Sequence, residues 1–135
     1  MNGRYLFDAS SIIALAVERK VDFLLGNYTI ESAGYEIGNY LWKETYLTKS
    51  LSQDDLLTLE RIFQIILKEM NMISGWPPSA EVVNLAGKLN LTYYDATYLH
   101  QAGKLGLTLI TEDAELKQKA KKVIKVAKIE EIGLE

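Results

Sequence analysis

Four carboxylates stand out by where they fall in the chain. Asp8 closes the apolar run Arg4-Tyr5-Leu6-Phe7. Glu36 lies in the first turns of a helical pattern that follows the short run Tyr28-Thr29-Ile30. Asp95 stands at the start of another helical pattern, and Asp113 lies two residues beyond the run Leu107-Thr108-Leu109-Ile110-Thr111. Singly, each has an ordinary explanation: Asp8 and Asp113 suit helix N-caps, Asp95 suits the positive end of a helix, and Glu36 suits a surface. Gathered at one point they would repel one another and hold their pKa values up. A bound divalent cation removes that penalty. An all-oxygen ligand set fits a hard ion, Mg²⁺ or Mn²⁺, while a chain with no cysteine and one histidine is poor in zinc ligands. Such ions bind phosphate oxygens and make water a better nucleophile, so the chemistry to expect is phosphodiester hydrolysis.

The surrounding pattern must bring these residues together. Strands are expected at 4–7, 28–30, 107–110 and 123–126. Helices are expected over 9–17, 32–47, a long stretch ending near residue 70, a stretch opened by Ser79, about 94–103, and 111–122. Ser52-Gln53-Asp54-Asp55 reads as a capping box for the long helix, with Leu56, Leu59, Phe63, Ile66 and Met70 on one stripe. Ser74-Gly75-Trp76-Pro77-Pro78 is the clearest loop, since paired prolines exclude regular structure there. Strands alternating with helices imply crossover connections, hence an α/β fold with a parallel sheet of about four to five short strands flanked by helices. Helices outnumber strands, so a helical region is expected to protrude. Ligands bind at the carboxyl ends of strands in such sheets, the end at which the four acids fall.

The chain has 135 residues, 48% of them hydrophobic and 24% charged, so one domain over 1–135 is expected, with a core that needs no disulfide. No apolar run is long enough for a membrane span, and a cytoplasmic location is the default expectation. The net charge of −3 argues against a simple basic nucleic-acid binder. Positive charge is nonetheless uneven: Lys117, Lys119, Lys121, Lys122, Lys125 and Lys128 fall close together with no acid among them.

The motifs carry a resemblance. Tyr5-Leu6-Phe7-Asp8-Ala9-Ser10-Ser11-Ile12-Ile13 resembles the opening strand of PIN domains. Glu36-Ile37-Gly38-Asn39 resembles their second acidic motif, Tyr93-Tyr94-Asp95-Ala96-Thr97-Tyr98-Leu99 the third, and Leu109-Ile110-Thr111-Glu112-Asp113 the last. The motifs stand in order from about residue 4 to 126, at the length of the small stand-alone PIN proteins called VapC toxins. The resemblance implies a metal-dependent endoribonuclease held inactive by a VapB-type antitoxin partner, and a homodimer. It implies Asp8, Glu36, Asp95 and Asp113 as the catalytic, metal-holding acids, and Ser10, Asn39 and Thr111 as polar neighbours that orient them.

An RNA substrate calls for positive charge and often for aromatic faces. Lys43, Lys104 and Lys117 are the candidates for phosphate, and Tyr40, Trp42, Tyr93, Tyr94 and Tyr98 lie near the acidic motifs. Aromatics at helical spacing more often pack in a core. His100 is five positions past Asp95 and off its face, so it is expected to pack or face solvent. Other classes fit less well. An aspartate-nucleophile phosphatase expects a second aspartate where Ser10 stands, a receiver domain expects paired acids, and no glycine-rich nucleotide loop follows the first strand. The alternative from another class is a catalytically silent PIN-like module that binds RNA or protein.

Overall fold

A computed structural model describes residues 3–133, so the four terminal positions of the expected 1–135 domain lie outside the described residues. Five short strands form one parallel sheet in the order β3-β2-β1-β4-β5. They are β1 (Tyr5–Phe7), β2 (Tyr28–Ile30), β3 (Asn71–Ile73), β4 (Thr108–Ile110) and β5 (Val126–Ala127). Between them run α1 (Ala9–Val17), α2 (Ser32–Trp42), α3 (Gln53–Glu69), α4 (Ala80–Leu89), α5 (Tyr93–Leu105) and α6 (Ala114–Ala120).

The two faces of the sheet are set by the two-residue period of its strands. Phe7 and Ile110 join Ile12, Leu15, Ile37, Phe63 and Ile66 under α1, α2 and α3. Their neighbours Leu6 and Leu109 point the other way, to Tyr98, Leu99, Ala102 and Leu116 of α5 and α6. Helices therefore cover both sides, as parallel strands buried on both faces require. The stripe of α3 packs on this body: Leu59, Phe63, Ile66 and Met70 are buried. One group of exposed apolar side chains lies where α2 hands over to α3, at Trp42, Tyr46, Leu47 and Leu57. There the chain leaves α2 through a wider turn, Lys43–Leu47, in which the Thr48 amide donates to the Lys43 carbonyl.

Most elements follow the sequence pattern closely, and the Ser52–Asp55 capping box forms as expected. The differences lie at edges. α3 stops at Glu69, Met70 caps it, and Asn71–Ile73 become β3, an edge strand with Asn71 and Met72 exposed. β5 is only Val126–Ala127 rather than 123–126. α6 starts after Asp113 because that residue is its N-cap. A buried tie was also missed. Asn27 accepts from the amides of Arg4 and Tyr5 (both 3.1 Å) and donates to the Phe23 carbonyl, pinning the entrances of β1 and β2 together.

Candidate active site

Register decides where the first two acids emerge. Phe7 pairs with Ile110, so the next residues, Asp8 and Thr111, leave the carboxyl edge of the sheet side by side. The Asp8 amide donates to the Ile110 carbonyl at 3.1 Å, which holds that exit. Asp8 then caps α1: its Oδ1 accepts from the Ser11 amide (3.0 Å), the Ser11 hydroxyl (3.0 Å) and the Ser10 hydroxyl (2.7 Å). All three bonds end on one oxygen. Ser11 Oγ also lies 2.9 Å from the Ile110 carbonyl, so one buried hydroxyl bridges both strand ends.

Ser10 and Thr111 face each other, with their hydroxyl oxygens 3.3 Å apart. Ser10 Oγ accepts from the Glu112 amide, and Thr111 Oγ1 accepts from the Asp113 amide. The two hydroxyls thus orient the turn that delivers Asp113, an exposed residue. Asp113 caps α6, its Oδ1 accepting from the amides of Glu115 (2.9 Å) and Leu116 (3.2 Å). For Asp8 and Asp113 the capping role and a place among the acids coexist, since the cap bonds end on Oδ1 in each.

Glu36 reaches the same edge from α2. Its Oε2 accepts a 2.7 Å bond from the Tyr98 hydroxyl. Tyr98 is 1% exposed, which removes it from the aromatics available to stack on RNA. Burial and the neighbouring Glu36 charge push its pKa far up, so it stays a donor. Sequence reasoning gave Tyr98 no such role. The signal was there: it stands three positions after Asp95, on the same helix face. Asp95 itself lies in the first turn of α5, where Thr92 is the cap.

Charge links these acids. Burial raises the Asp8 pKa, opposed by its hydroxyl and amide bonds. Burial also raises Glu36, with Asp8 and Asp95 adding to the shift. Asp95 is pushed up to about 6, first by burial and then by Asp8, Asp113 and Glu115. Among the described residues no lysine, arginine or histidine forms an ion pair with Asp8, Glu36, Asp95 or Asp113. Nor do any three acid or histidine side chains among them already converge at metal-binding distance. The acids are near enough to perturb one another without closing on a point. Mutually repelling oxygen donors with no cationic partner have the chemistry that a hard divalent ion satisfies.

The other expected site residues divide. Asn39 is exposed and lines the same opening as Glu36, with Ser32, Tyr35 and Tyr94. Lys43 is exposed two helical turns beyond Glu36. Lys117 ion-pairs with Glu131, so its charge is already engaged. Lys104 stands nine residues after Asp95 on α5, about 13 Å along the axis, and lies away from the acids. It lines a different cleft, with His100 and Ile124. His100 Nε2 lies 3.1 Å from Glu81, in keeping with its expected position off the acidic face. Of the remaining aromatics, Tyr94 and Trp42 are exposed, and Tyr93 accepts from the Ser79 amide.

A five-stranded parallel sheet with acids at its carboxyl edge is the architecture of one nuclease-bearing class, and the comparisons agree on it. A family model of the PIN domain matches residues 5–122, and the chain belongs to the PIN-domain family. It is 35% identical over 128 residues to exonuclease VapC9 of Pyrobaculum aerophilum, covering 90% of both chains. It is 32% identical to ribonuclease VapC3 of the same organism over 126 residues, 86% of this chain and 94% of that one. The crystal structure of PAE2754 from Pyrobaculum aerophilum is similar throughout, with a TM-score of 0.79 and 32% identity over 96% of this chain and 93% of that one.

Proposed function

We propose that this protein is a VapC-type ribonuclease that uses Mg²⁺ or Mn²⁺ at the Asp8–Glu36–Asp95–Asp113 cluster, the toxin of a toxin–antitoxin pair. The observation that supports this most is electrostatic. Four acids come from four separate stretches of chain toward one sheet edge; after burial, neighbouring acids among them raise the pKa values of Glu36 and Asp95, and none of the four has an ion-pair partner among the described residues. A scaffold gains nothing from such repulsion, whereas a metal-dependent hydrolase needs it.

In this reading the four carboxylates would hold the ion. When bound, it supplies Lewis acidity toward phosphate oxygens and lowers the pKa of water. The chain's own part is positioning. Ser10 and Ser11 fix one oxygen of Asp8, and Tyr98 fixes one oxygen of Glu36. Ser10 and Thr111 set the turn before Asp113. Each bond selects a rotamer before any ligand arrives, and such supporting partners typically change metal affinity or activity by about 10–100-fold.

The two relatives are named for different activities, an exonuclease and a ribonuclease. Cleavage at internal bonds is the reading favoured here, because Asp113 and Asn39 lie on an open, exposed edge across which a strand can run. A circular RNA tests it. Cleavage of the circle that requires Mg²⁺ or Mn²⁺, stops with EDTA and is lost in Asp8→Asn is expected. Degradation of linear RNA alone would make the activity exonucleolytic, and no cleavage of any RNA with either ion would leave the silent binding module. A VapB-type antitoxin and a second copy of the chain are the partners proposed. The exposed Trp42, Tyr46, Leu47 and Leu57 form one apolar surface available to them.

A further inference from the structure

A second cleft, of about 530 Å³, adjoins the acids and is lined by Ile30, Gly75, Trp76, Pro78 and Tyr94 among others. Two of its aromatic rings are open to solvent: Trp76 is 76% and Tyr94 61% exposed. It shares Ser32 and Tyr94 with the opening that contains Glu36 and Asn39, so the two form one continuous surface. Their lining residues include no lysine, arginine or histidine, and the only charged ones are Glu31 and Glu36. Such a cleft repels phosphate and accepts a flat, neutral group.

The loop presenting Trp76 is pinned. Glu31, at the exit of β2, accepts from the Ser74 hydroxyl (2.9 Å) and from the Gly75 amide. The Trp76 amide in turn donates to Ser74 Oγ at 3.2 Å. Gly75 lies so close to α5 that a Cβ there would be 2.9 Å from the Thr97 methyl. Thr97 has no room to yield, because its hydroxyl is bonded to the Tyr93 carbonyl at 2.8 Å. A large indole left bare on a backbone that is pinned in this way is poised for a ligand.

We propose that this cleft is a base-binding subsite, in which an unpaired base of single-stranded RNA stacks on Trp76 and Tyr94 beside the acids. The inference rests on the ribonuclease reading. It also answers how an acidic protein with a net charge of −3 holds RNA: stacking energy does not depend on the sign of the protein's charge. A base attached one or two nucleotides from a phosphate at Glu36 and Asp95 reaches the cleft along the shared rim.

The test uses the intrinsic reporter. Trp42 is the other of two tryptophans, so in a Trp42→Phe background Trp76 emits alone. With EDTA present to block cleavage, a single-stranded oligoribonucleotide is expected to quench that emission saturably, and an abasic oligomer of equal length is not. Trp76→Ala and Tyr94→Ala are each expected to weaken binding of a labelled RNA about 10-fold, with Trp76→Phe restoring most of it. In cleavage with Mn²⁺ the same variants raise KM and hold kcat. Both side chains are exposed, so truncation spares the core. Equal quenching by the abasic oligomer, or unchanged RNA affinity in Trp76→Ala, would overturn the proposal. So would a Trp76→Ala protein that binds RNA normally but loses its antitoxin, which would give the cleft to a protein partner. Quenching without any cleavage would support the subsite while refuting the ribonuclease reading, so the two fail separately.

Discussion

Replacing Asp95 by asparagine removes one charge from the acidic cluster while keeping the size of the side chain. Thr92, not Asp95, caps α5: the Asp95 backbone amide donates to Thr92 Oγ1, and a side-chain bond from Thr92 lowers the Asp95 pKa without cancelling the rise from burial and the neighbouring acids. The folded protein holds the Asp95 carboxyl up to about 6, against 3.8 for a free group. That gap corresponds to about 3 kcal/mol of unfavourable charge at pH 7. Partial solvent access reduces this, and the positive end of α5 returns about 0.5–1 kcal/mol to the charged form. A net stabilisation of about 1–2 kcal/mol by Asp95→Asn is expected in metal-free buffer, a rise of several degrees in Tm. The sign follows from linkage. The folded state binds the proton more tightly, so the penalty is complete above the folded pKa and vanishes as pH falls through the window from about 6 to 3.8. Thermal melts in EDTA at pH 7, 6, 5 and 4 should therefore show the variant ahead at pH 7 and the difference closing by pH 4. Added Mg²⁺ or Mn²⁺ should raise the Tm of the wild type and leave that of the variant nearly unmoved. An Asp95→Asn protein less stable than the wild type at pH 7, or a difference that ignores pH, would refute the electrostatic reasoning and return Asp95 to a structural role.

Three further outcomes are expected. Tyr98→Phe removes the hydroxyl that donates to Glu36 Oε2; metal affinity measured by calorimetry should fall about 10–100-fold while the fold persists by circular dichroism. Ser11→Ala strips Asp8 of a bond and leaves the Ile110 carbonyl without its side-chain donor, so urea denaturation should show a loss of about 1–3 kcal/mol. Gly75→Ala forces the loop off α5 because Thr97 cannot swing away, and should cost about 1–3 kcal/mol in the same assay.

Much of this molecule can be read from its residues because local chemistry and tertiary structure agree. Ala9–Val17, Tyr28–Ile30 and the Ser52 capping box fall where periodicity and capping rules put them. What stayed hidden depends on partners far away in sequence. Asn71–Ile73 becomes a strand because β2 offers it a free edge, not because one polar residue followed by two apolar ones demands it. Tyr98 turns inward to Glu36 across 62 positions, a pairing that no window on the sequence contains. The four acids were visible as a set through the ordered motifs, yet their charge coupling is a property of distance in space. Lys117 looked free until Glu131 came beside it.

In the proposed site Asp8 and Asp113 would each serve twice, and this bears on how such a protein would fall silent. One oxygen of each carries the start of a helix. Asparagine offers the same oxygen to those amides, while alanine offers none. An amide at either position therefore leaves a well-built body without its negative charge. That is a short step from hydrolase to inert scaffold, and for the bench it is the better route to a trap that grips its target and leaves it whole.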